Sequence, residues 1–387
     1  MTSARTPLRR RRFLAGSAAL ATLALSRAGT SVAGARIPRA QRPLRLLVLG
    51  GPRFLGVHTA EYALARGHSL TFFNRGRTNA ERLPQVERIL GDRNGPLDGL
   101  AGREWDAVLD HSGYVPRQVR RAAELLAPRV RRYLFVSSVS VYPDFTVPRD
   151  EDSPVGRLED ETVEQVDGAT YGPLKALCER AAQAVFGAER STIIRPGLIV
   201  GPEDNTDRFT WWPARAARGG DFIAPGSPAD RIQCIDARDL AAFMVRALER
   251  DISGTYNVVS PPGRFTMGEL VNESVRAARQ RARPAEPPMP VWLPADFLAA
   301  QGVQPWSDLP VWLPATGDST AFAATPVQRA LAQGLAIRPL ADTVRDTLRW
   351  HQGRPLAERE KLKAGIDAAR EQAVLTAWRR RGAIAEG

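Results

Sequence analysis

Tyr171 and Lys175 stand four residues apart in Tyr171-Gly172-Pro173-Leu174-Lys175. On a helix that spacing puts both side chains on one face. An ammonium near a phenol favours the phenolate and lowers its pKa from about 10. Tyr171 is therefore expected to act as acid and base near neutral pH, with Lys175 as its electrostatic partner. The use of lysine is informative. The chain carries 54 basic side chains, and Lys175 is the only lysine ahead of Lys361 and Lys363. Where arginine supplies nearly every other cation, this position calls for a compact ammonium in place of a planar fork. A third candidate, Ser138, closes the run Tyr133-Leu134-Phe135-Val136-Ser137-Ser138. A serine just past a strand can hydrogen-bond a substrate oxygen and share a proton with Tyr171.

The elements around these residues alternate. Short apolar runs at 44–49, 69–73, 86–90, 106–109, 132–137 and 191–194 read as strands, and 55–66, 116–127 and 170–186 read as helices. Strand–helix alternation of this kind predicts an α/β fold, a doubly wound parallel sheet of the Rossmann type. Beyond Pro196 the pattern loosens into Pro- and Trp-rich stretches, notably 285–316. A smaller C-terminal lobe that binds substrate is expected there. The expected organisation is a removable segment 1–35, a linker 36–43 and a dinucleotide-binding domain 44–195. Then come the lobe 196–350, sharing some Rossmann elements, and a helical tail 351–387.

Gly50-Gly51-Pro52-Arg53-Phe54-Leu55-Gly56 lies where the first strand meets the first helix. Glycines there permit a tight turn that brings a pyrophosphate to the helix N-terminus, where amides and dipole favour an anion. The second strand is followed by Asn74-Arg75-Gly76-Arg77, with no acid to take ribose hydroxyls. Two arginines suit a 2′-phosphate, so NADP is the expected cofactor, with NAD the alternative; a solvated arginine loop is the other reading of the same residues.

Together with Ser137-Ser138-Val139-Ser140-Val141-Tyr142, Tyr171-x-x-x-Lys175, Arg195-Pro196-Gly197 and Gly201-Pro202, these motifs stand in the order seen in the NAD-dependent epimerase/dehydratase family, the extended and atypical short-chain dehydrogenase/reductases, which the chain resembles over roughly 44–350. Ile235-Asp236-Ala237-Arg238-Asp239-Leu240 and Gly254-Thr255-Tyr256-Asn257-Val258 resemble later landmarks of that family. The resemblance implies that Ser138, Tyr171 and Lys175 are catalytic and that Tyr171 and Lys175 also meet the cofactor, Lys175 through the nicotinamide ribose. It implies that Gly50, Gly51 and Gly56 are the glycines of the phosphate loop, that Asp92 meets the adenine, and that His111 and Ser112 line the dinucleotide; Arg53, Phe54 and Leu55 of the same loop, with Asn74 and Arg75 after the second strand, are the further expected cofactor contacts.

Two departures stand out. Arg53 replaces the middle glycine of the loop, which is expected to hinder close approach of a pyrophosphate unless its guanidinium binds a phosphate. The chain shares this with the atypical branch, which includes chloroplast stem-loop RNA-binding proteins. Ser138 and Tyr171 are also 33 positions apart, with an acidic insert at 149–167 expected to cover part of the site.

The segment 1–35 holds Arg10-Arg11-Arg12-Phe13-Leu14, a modestly apolar stretch and Ala33-Gly34-Ala35, the order of a twin-arginine export signal. Export to the periplasm or exterior is expected, and a cytoplasmic protein if that reading fails. The segment has six arginines and no acid, which leaves 48 basic against 42 acidic side chains, about +6, on the mature chain. That charge is dispersed, so nucleic acid is not an expected partner. The expected partners are a small-molecule substrate, with carbohydrate as one class, the export machinery and a second copy in a homodimer. No transmembrane segment is expected after signal removal.

Outside the cytoplasm no pool of free dinucleotide exists. A resident cofactor suits chemistry that returns the hydride to the same molecule, such as epimerisation or dehydration of a sugar or sugar-nucleotide-like substrate. The alternatives are an NADPH-dependent net oxidoreductase of a small carbonyl compound and a non-catalytic dinucleotide- or polyanion-binding protein. Cys178 and Cys234 are expected to be buried thiols. His58, His68, His111 and His351 show no metal-ligand spacing, and no metal is expected. Trp211, Trp212, Trp292, Trp306 and Trp312 are candidates to stack on sugar rings or to pack the lobe's interior.

Overall fold

The computed structural model describes residues 37–79 and 81–385. The export-signal reading of 1–35 lies outside the described residues. From Ile37 onward the chain forms one unit.

Strand β1 (Arg45–Leu49) shows how the centre is built. Its residues are apolar without alternation. Leu46 and Val48 pack into one buried cluster, while Leu47 and Leu49 pack into another on the opposite face. A strand covered on both faces has no use for polar positions. Helix α1 (Leu55–Arg66) follows, ending at Gly67 in the left-handed region at φ 92°. Next come β2 (Ser69–Asn74), β3 (Glu87–Leu90), β4 (Trp105–Asp110), α2 (Pro116–Leu126), β5 (Val130–Val136), α3 (Tyr171–Phe186) and β6 (Ser191–Pro196).

Past β6 run β7 (Leu198–Val200), α4 (Trp211–Arg218), β8 (Asp221–Pro225), β9 (Arg231–Ile232), β10 (Cys234–Asp236), α5 (Ala237–Glu249) and β11 (Gly254–Val258). The central sheet has seven strands in the order β11-β6-β5-β4-β1-β2-β3, all parallel. The chain leaves β1 in one direction through β2 and β3, then returns to build the other half from β4. That reversal between β1 and β4 is a switch point, and in open α/β sheets ligands bind there, beyond the carboxyl ends of the strands. The glycine turn, His111 and Ser138 all follow strand ends on this edge.

One face of the sheet carries α5, whose Leu240, Phe243 and Met244 meet Leu46, Val48 and Leu134. The other carries α2 and α3, through Val119, Ala122, Cys178, Ala181 and Phe186. Both α5 and β11 therefore serve the sheet although they lie well past Pro196.

A second core gathers the later chain. It involves β12 (Phe265–Thr266), α6 (Met267–Ala277), β13 (Met289–Leu293), α7 (Ala295–Ala300), α9 (Leu340–Gln352) and α11 (Ala368–Ala385), whereas α8 (Gln328–Ala332) packs Ala330 into the sheet's cluster and α10 (Leu356–Glu360) buries no residue. Trp211, Trp212 and Trp312 sit fully inside it with Phe209 and Phe222, and Val374 and Leu375 of α11 join them. Buried Glu371 of α11 takes Arg215 of α4 at 2.6 Å, which ties the C-terminal helix to the lobe. No helix among the described residues is long and apolar enough to cross a membrane.

Candidate active site

The turn after β1 is shaped by its glycines. Gly50 adopts φ 134°, open to glycine and costly for other residues. A Cβ on Gly56 would fall 2.1 Å from the Gly51 carbonyl oxygen, so only glycine lets α1 begin this close to the turn. Phe54 caps α1 at φ 46° and offers no side-chain hydrogen bond to its first amides. The Gly56 and Val57 amides bond back to the Arg53 and Phe54 carbonyls at 3.0 and 2.9 Å, so what the turn offers an anion is the positive end of the helix dipole. The substituted position, Arg53, keeps a negative φ; the left-handed residue is Phe54. Arg53 is exposed and lines both cavities described below, so the replacement adds a cation at the mouth without distorting its own backbone.

Two adjoining cavities share Gly50, Gly51, Arg53, Ser112 and Tyr114. The smaller, about 290 Å³, is lined by Asn74, Arg75, Arg77 and Asp92. Asn74 is fixed by bonds to the Gly50 carbonyl (3.3 Å) and from the Gly76 amide (2.8 Å), while Arg75 and Arg77 are exposed. Asp92 accepts from the Asn94 amide at 2.9 Å.

Its neighbour Arg93, which sequence reasoning passed over, is buried. It forms a two-pronged pair with Asp110 at 2.5 and 2.8 Å. Tyr133 donates to the same carboxylate at 2.5 Å, and the Ser112 amide at 3.1 Å. Burial alone pushes the Asp110 carboxyl up, but the Arg93 guanidinium outweighs it and holds the group below its usual range. This ionised network forms the floor between the ends of β3, β4 and β5. The only sequence signal was an acid closing a strand and an arginine beside Asp92.

The larger cavity, about 910 Å³, holds Phe54, Leu55, Gly56, His111, Ser138, Tyr171 and Lys175 together. Every residue expected from the sequence to serve the site therefore lines one cavity or the other. His111 is held neutral, its pKa pushed by burial down to about 4, and both ring nitrogens are buried without a partner. Ser138 lies two residues past β5, accepts from the Ser140 amide at 3.0 Å and donates to the Ser140 hydroxyl at 3.0 Å. Tyr171 opens α3. The next residue, Gly172, lets the helix start against the Ser138–Tyr142 turn, since a Cβ there would lie 1.9 Å from the Ser140 carbonyl oxygen.

The expectation for the pair Tyr171 and Lys175 needs correction. Both reach the same cavity, but the ammonium does not lower the phenol's pKa. Lys175 is 3% exposed and donates to the carbonyls of Gly113 (2.8 Å) and Val136 (2.6 Å), with the Phe135 ring 4.2 Å away. It staples the ends of β4 and β5. Burial brings its own pKa down to about 8. The Tyr171 phenol is raised by burial, with Ser138 and the Arg208 charge pulling it partway back. In this state Tyr171 is a neutral phenol poised to donate a proton.

Two further expectations are revised. No residue of the acidic insert 149–167 lines the large cavity. The insert is instead drawn to the outer faces of α2 and α3 by Arg117–Glu164 (2.7 Å) and Arg180–Glu161 (2.5 Å). Of the five tryptophans, only Trp306 lines the cavity; Trp211, Trp212 and Trp312 are core, and Trp292 packs against that core. Both cysteines are free and buried. Among the described residues no cluster of His, Cys, Asp and Glu is placed to hold a metal.

The family model for the NAD dependent epimerase/dehydratase family matches residues 103–259. The chain is 26% identical over 239 residues to the chloroplast stem-loop binding protein of 41 kDa b of Arabidopsis thaliana, covering 56% of this chain and 58% of that protein. It is 28% identical over 269 residues to the epimerase family protein SDR39U1 of Bos taurus, covering 64% and 84%. The crystal structure of human epimerase family protein SDR39U1 with NADPH shares the fold, with a TM-score of 0.51 and 22% identity, covering 79% of this chain and 99% of that one. The matched segment holds Ser138, Tyr171 and Lys175 and runs to the last strand of the sheet, so the similarity to the NAD dependent epimerase/dehydratase family falls on the candidate site.

Proposed function

We propose that the chain is an NADP(H)-dependent enzyme acting on a hydroxyl or keto centre of a sugar or sugar-nucleotide-like substrate, with the dinucleotide held tightly between turnovers. The observation that carries this reading is the convergence of Ser138, Tyr171 and Lys175 on the cavity that contains the glycine turn. The residues fit a dinucleotide: Gly56 leaves space no Cβ could share, no side chain covers the α1 N-terminus, and the two His111 nitrogens lack partners. Gly50, Gly51, Gly56 and the α1 N-terminus would hold the pyrophosphate, Arg75 with Arg77 a 2′-phosphate, and Lys175 the nicotinamide ribose. When bound, the nicotinamide supplies a hydride donor or acceptor beside Tyr171. Tyr171 gives or takes the proton of the substrate oxygen, and Ser138 orients that oxygen. The bound NADPH of the human relative's structure supports the same choice of cofactor.

A second reading is net reduction of a carbonyl compound. Its specific support is the raised Tyr171 pKa, because a neutral phenol is the form that protonates a carbonyl oxygen as it is reduced. Stoichiometric consumption of NADPH would select this reading, and substrate conversion without net consumption the epimerase-like one.

The cofactor choice is tested by titration. The parent protein should prefer NADP(H) to NAD(H), and Arg75→Ala should shrink the preference by about 1–3 kcal/mol, the scale of a charge-assisted hydrogen bond. Equal affinity of the parent for both would remove the 2′-phosphate assignment. Export by the twin-arginine route belongs to the same reading and rests on Arg10-Arg11. Replacing both by lysine keeps the charge and should leave the precursor uncleaved in the cytoplasm, whereas its continued export would point to a general secretory signal.

A further inference from the structure

Every well-buried arginine described above has a carboxylate: Arg93 has Asp110, and Arg215 has Glu371. Arg195 of β6 likewise holds Glu179 at 2.7 Å. Burying a guanidinium is costly, and a two-pronged acid is the usual compensation. Arg208 breaks this pattern. It is half-buried in the wall of the large cavity, and among the described residues no carboxylate forms an ion pair with it. Its side-chain bond is to the Thr206 hydroxyl, at 3.2 Å from Nε.

The nearby acids are committed elsewhere. Asp207 holds Arg354 at 2.8 Å. Asp204 is wholly buried, accepts from the Thr206 amide and hydroxyl, and has its other oxygen unpartnered; burial raises its pKa, and the Arg208 charge pulls it partway back without a hydrogen bond between the two. The guanidinium charge is thus left facing the cavity, close enough for its field to act on the Tyr171 phenol.

A second observation concerns what supports it. The Arg208 guanidinium lies 5.4 Å from the centre of the Trp306 ring. Trp306 is held at φ 67°, a left-handed conformation that costs a bulky residue on the order of 1–3 kcal/mol. It stacks edge-on with Phe322 at 5.3 Å, which in turn meets Phe145 at 5.1 Å. Leu198, Ile199 and Leu313 complete an apolar wall. A strained tryptophan that presents its face to a guanidinium with no carboxylate bonded to it is a device for orienting that cation.

We infer that Arg208 is the anion-binding residue of the substrate pocket, so that the substrate carries a carboxylate or phosphate group on a body that packs against the Trp306–Phe322 wall. The inference rests on the reading of Tyr171 as the acid/base of the same cavity. It adds that the reacting oxygen and the charged group lie on one small molecule, spaced to reach Tyr171 and Arg208 together.

Three probes of one body test it: benzoate, phenyl phosphate and benzyl alcohol, titrated calorimetrically into the mature chain saturated with NADP⁺, and into the chain alone. At least one anion should bind about tenfold or more tightly than the neutral alcohol, the scale of a charge-assisted bond. The tighter of the two anions names the group. Arg208→Gln should abolish the difference, Arg208→Lys should recover part of it, and neither should change NADP⁺ affinity. A retained melting temperature in Arg208→Gln itself shows that its loss of the difference is not misfolding. Equal binding of all three probes by the parent, or an unchanged preference in Arg208→Gln, overturns the inference while leaving the dinucleotide reading intact. Loss of NADP⁺ binding in Arg208→Gln also overturns it, by moving Arg208 to the cofactor. Failure of the parent to bind NADP⁺ defeats the functional reading instead, and the anion preference is then decided in the chain alone.

Discussion

Tyr171→Phe is expected to lower turnover by about 10²–10⁴-fold while leaving NADP(H) affinity within about tenfold. The phenol is the group in the large cavity whose proton is poised for transfer to a substrate oxygen. Lys175 is occupied by two carbonyls, and His111 is neutral with its pKa near 4. Removing one oxygen from a half-buried ring at the start of α3 leaves Gly172 against Ser140 and the helix in place. The loss should therefore appear in kcat and not in the melting temperature. Steady-state rates and NADP(H) titrations on the same preparations separate the two, and near-parent turnover in Tyr171→Phe would exclude the phenol from the chemistry.

Replacement of Lys175 should damage cofactor binding as well as rate. Lys175→Met removes a charged donor, worth about 1.5–3 kcal/mol or about 10- to 150-fold in affinity if it reaches the ribose. Lys175→Arg should fail too, because a planar fork does not fit where an ammonium meets the Gly113 and Val136 carbonyls at 2.8 and 2.6 Å.

The same residue predicts a pH dependence of stability. Its folded pKa, about 8, lies below the ordinary lysine value of 10.5. Between those values the unfolded chain holds more protons, so this group makes stability rise with pH across that window; below it, the folded state carries the cost of a buried ammonium. Denaturant titrations of parent and Lys175→Met at pH 7.5 and above should differ in slope against pH in that sense. Parallel slopes would mean that Lys175 titrates as an exposed lysine.

What could be read from the sequence was local. Helix α1 begins and ends where the expected helix does, because a glycine turn precedes it and Gly67 stops it. The pair Tyr171 and Lys175 shares a cavity because four-residue spacing on a helix admits little else. What that spacing could not show was where the ammonium's hydrogen bonds go. Its carbonyl partners are 62 and 39 residues away in the chain, and they turn a presumed partner of the phenol into a staple between strands. The Arg93–Asp110 floor was hidden for the same reason, since its members are 17 residues apart on different elements. The tryptophans show the limit of composition. Trp211 and Trp312 are core, whereas Trp306, in a turn at positive φ, lines the cavity. Likewise β11 joins the sheet beside β6 by a pairing that no nearby residue announces.

The central claim is that the crevice beyond β1 and β4 holds a dinucleotide phosphate within reach of Tyr171. The most direct measurement is to purify the mature protein, denature it, and identify the released nucleotide by mass spectrometry, with a parallel NADPH titration of any nucleotide-free fraction. NADP⁺ or NADPH is expected in the supernatant, or saturable binding of NADPH to the empty protein. A protein that releases no dinucleotide and binds neither NADPH nor NADH would contradict it.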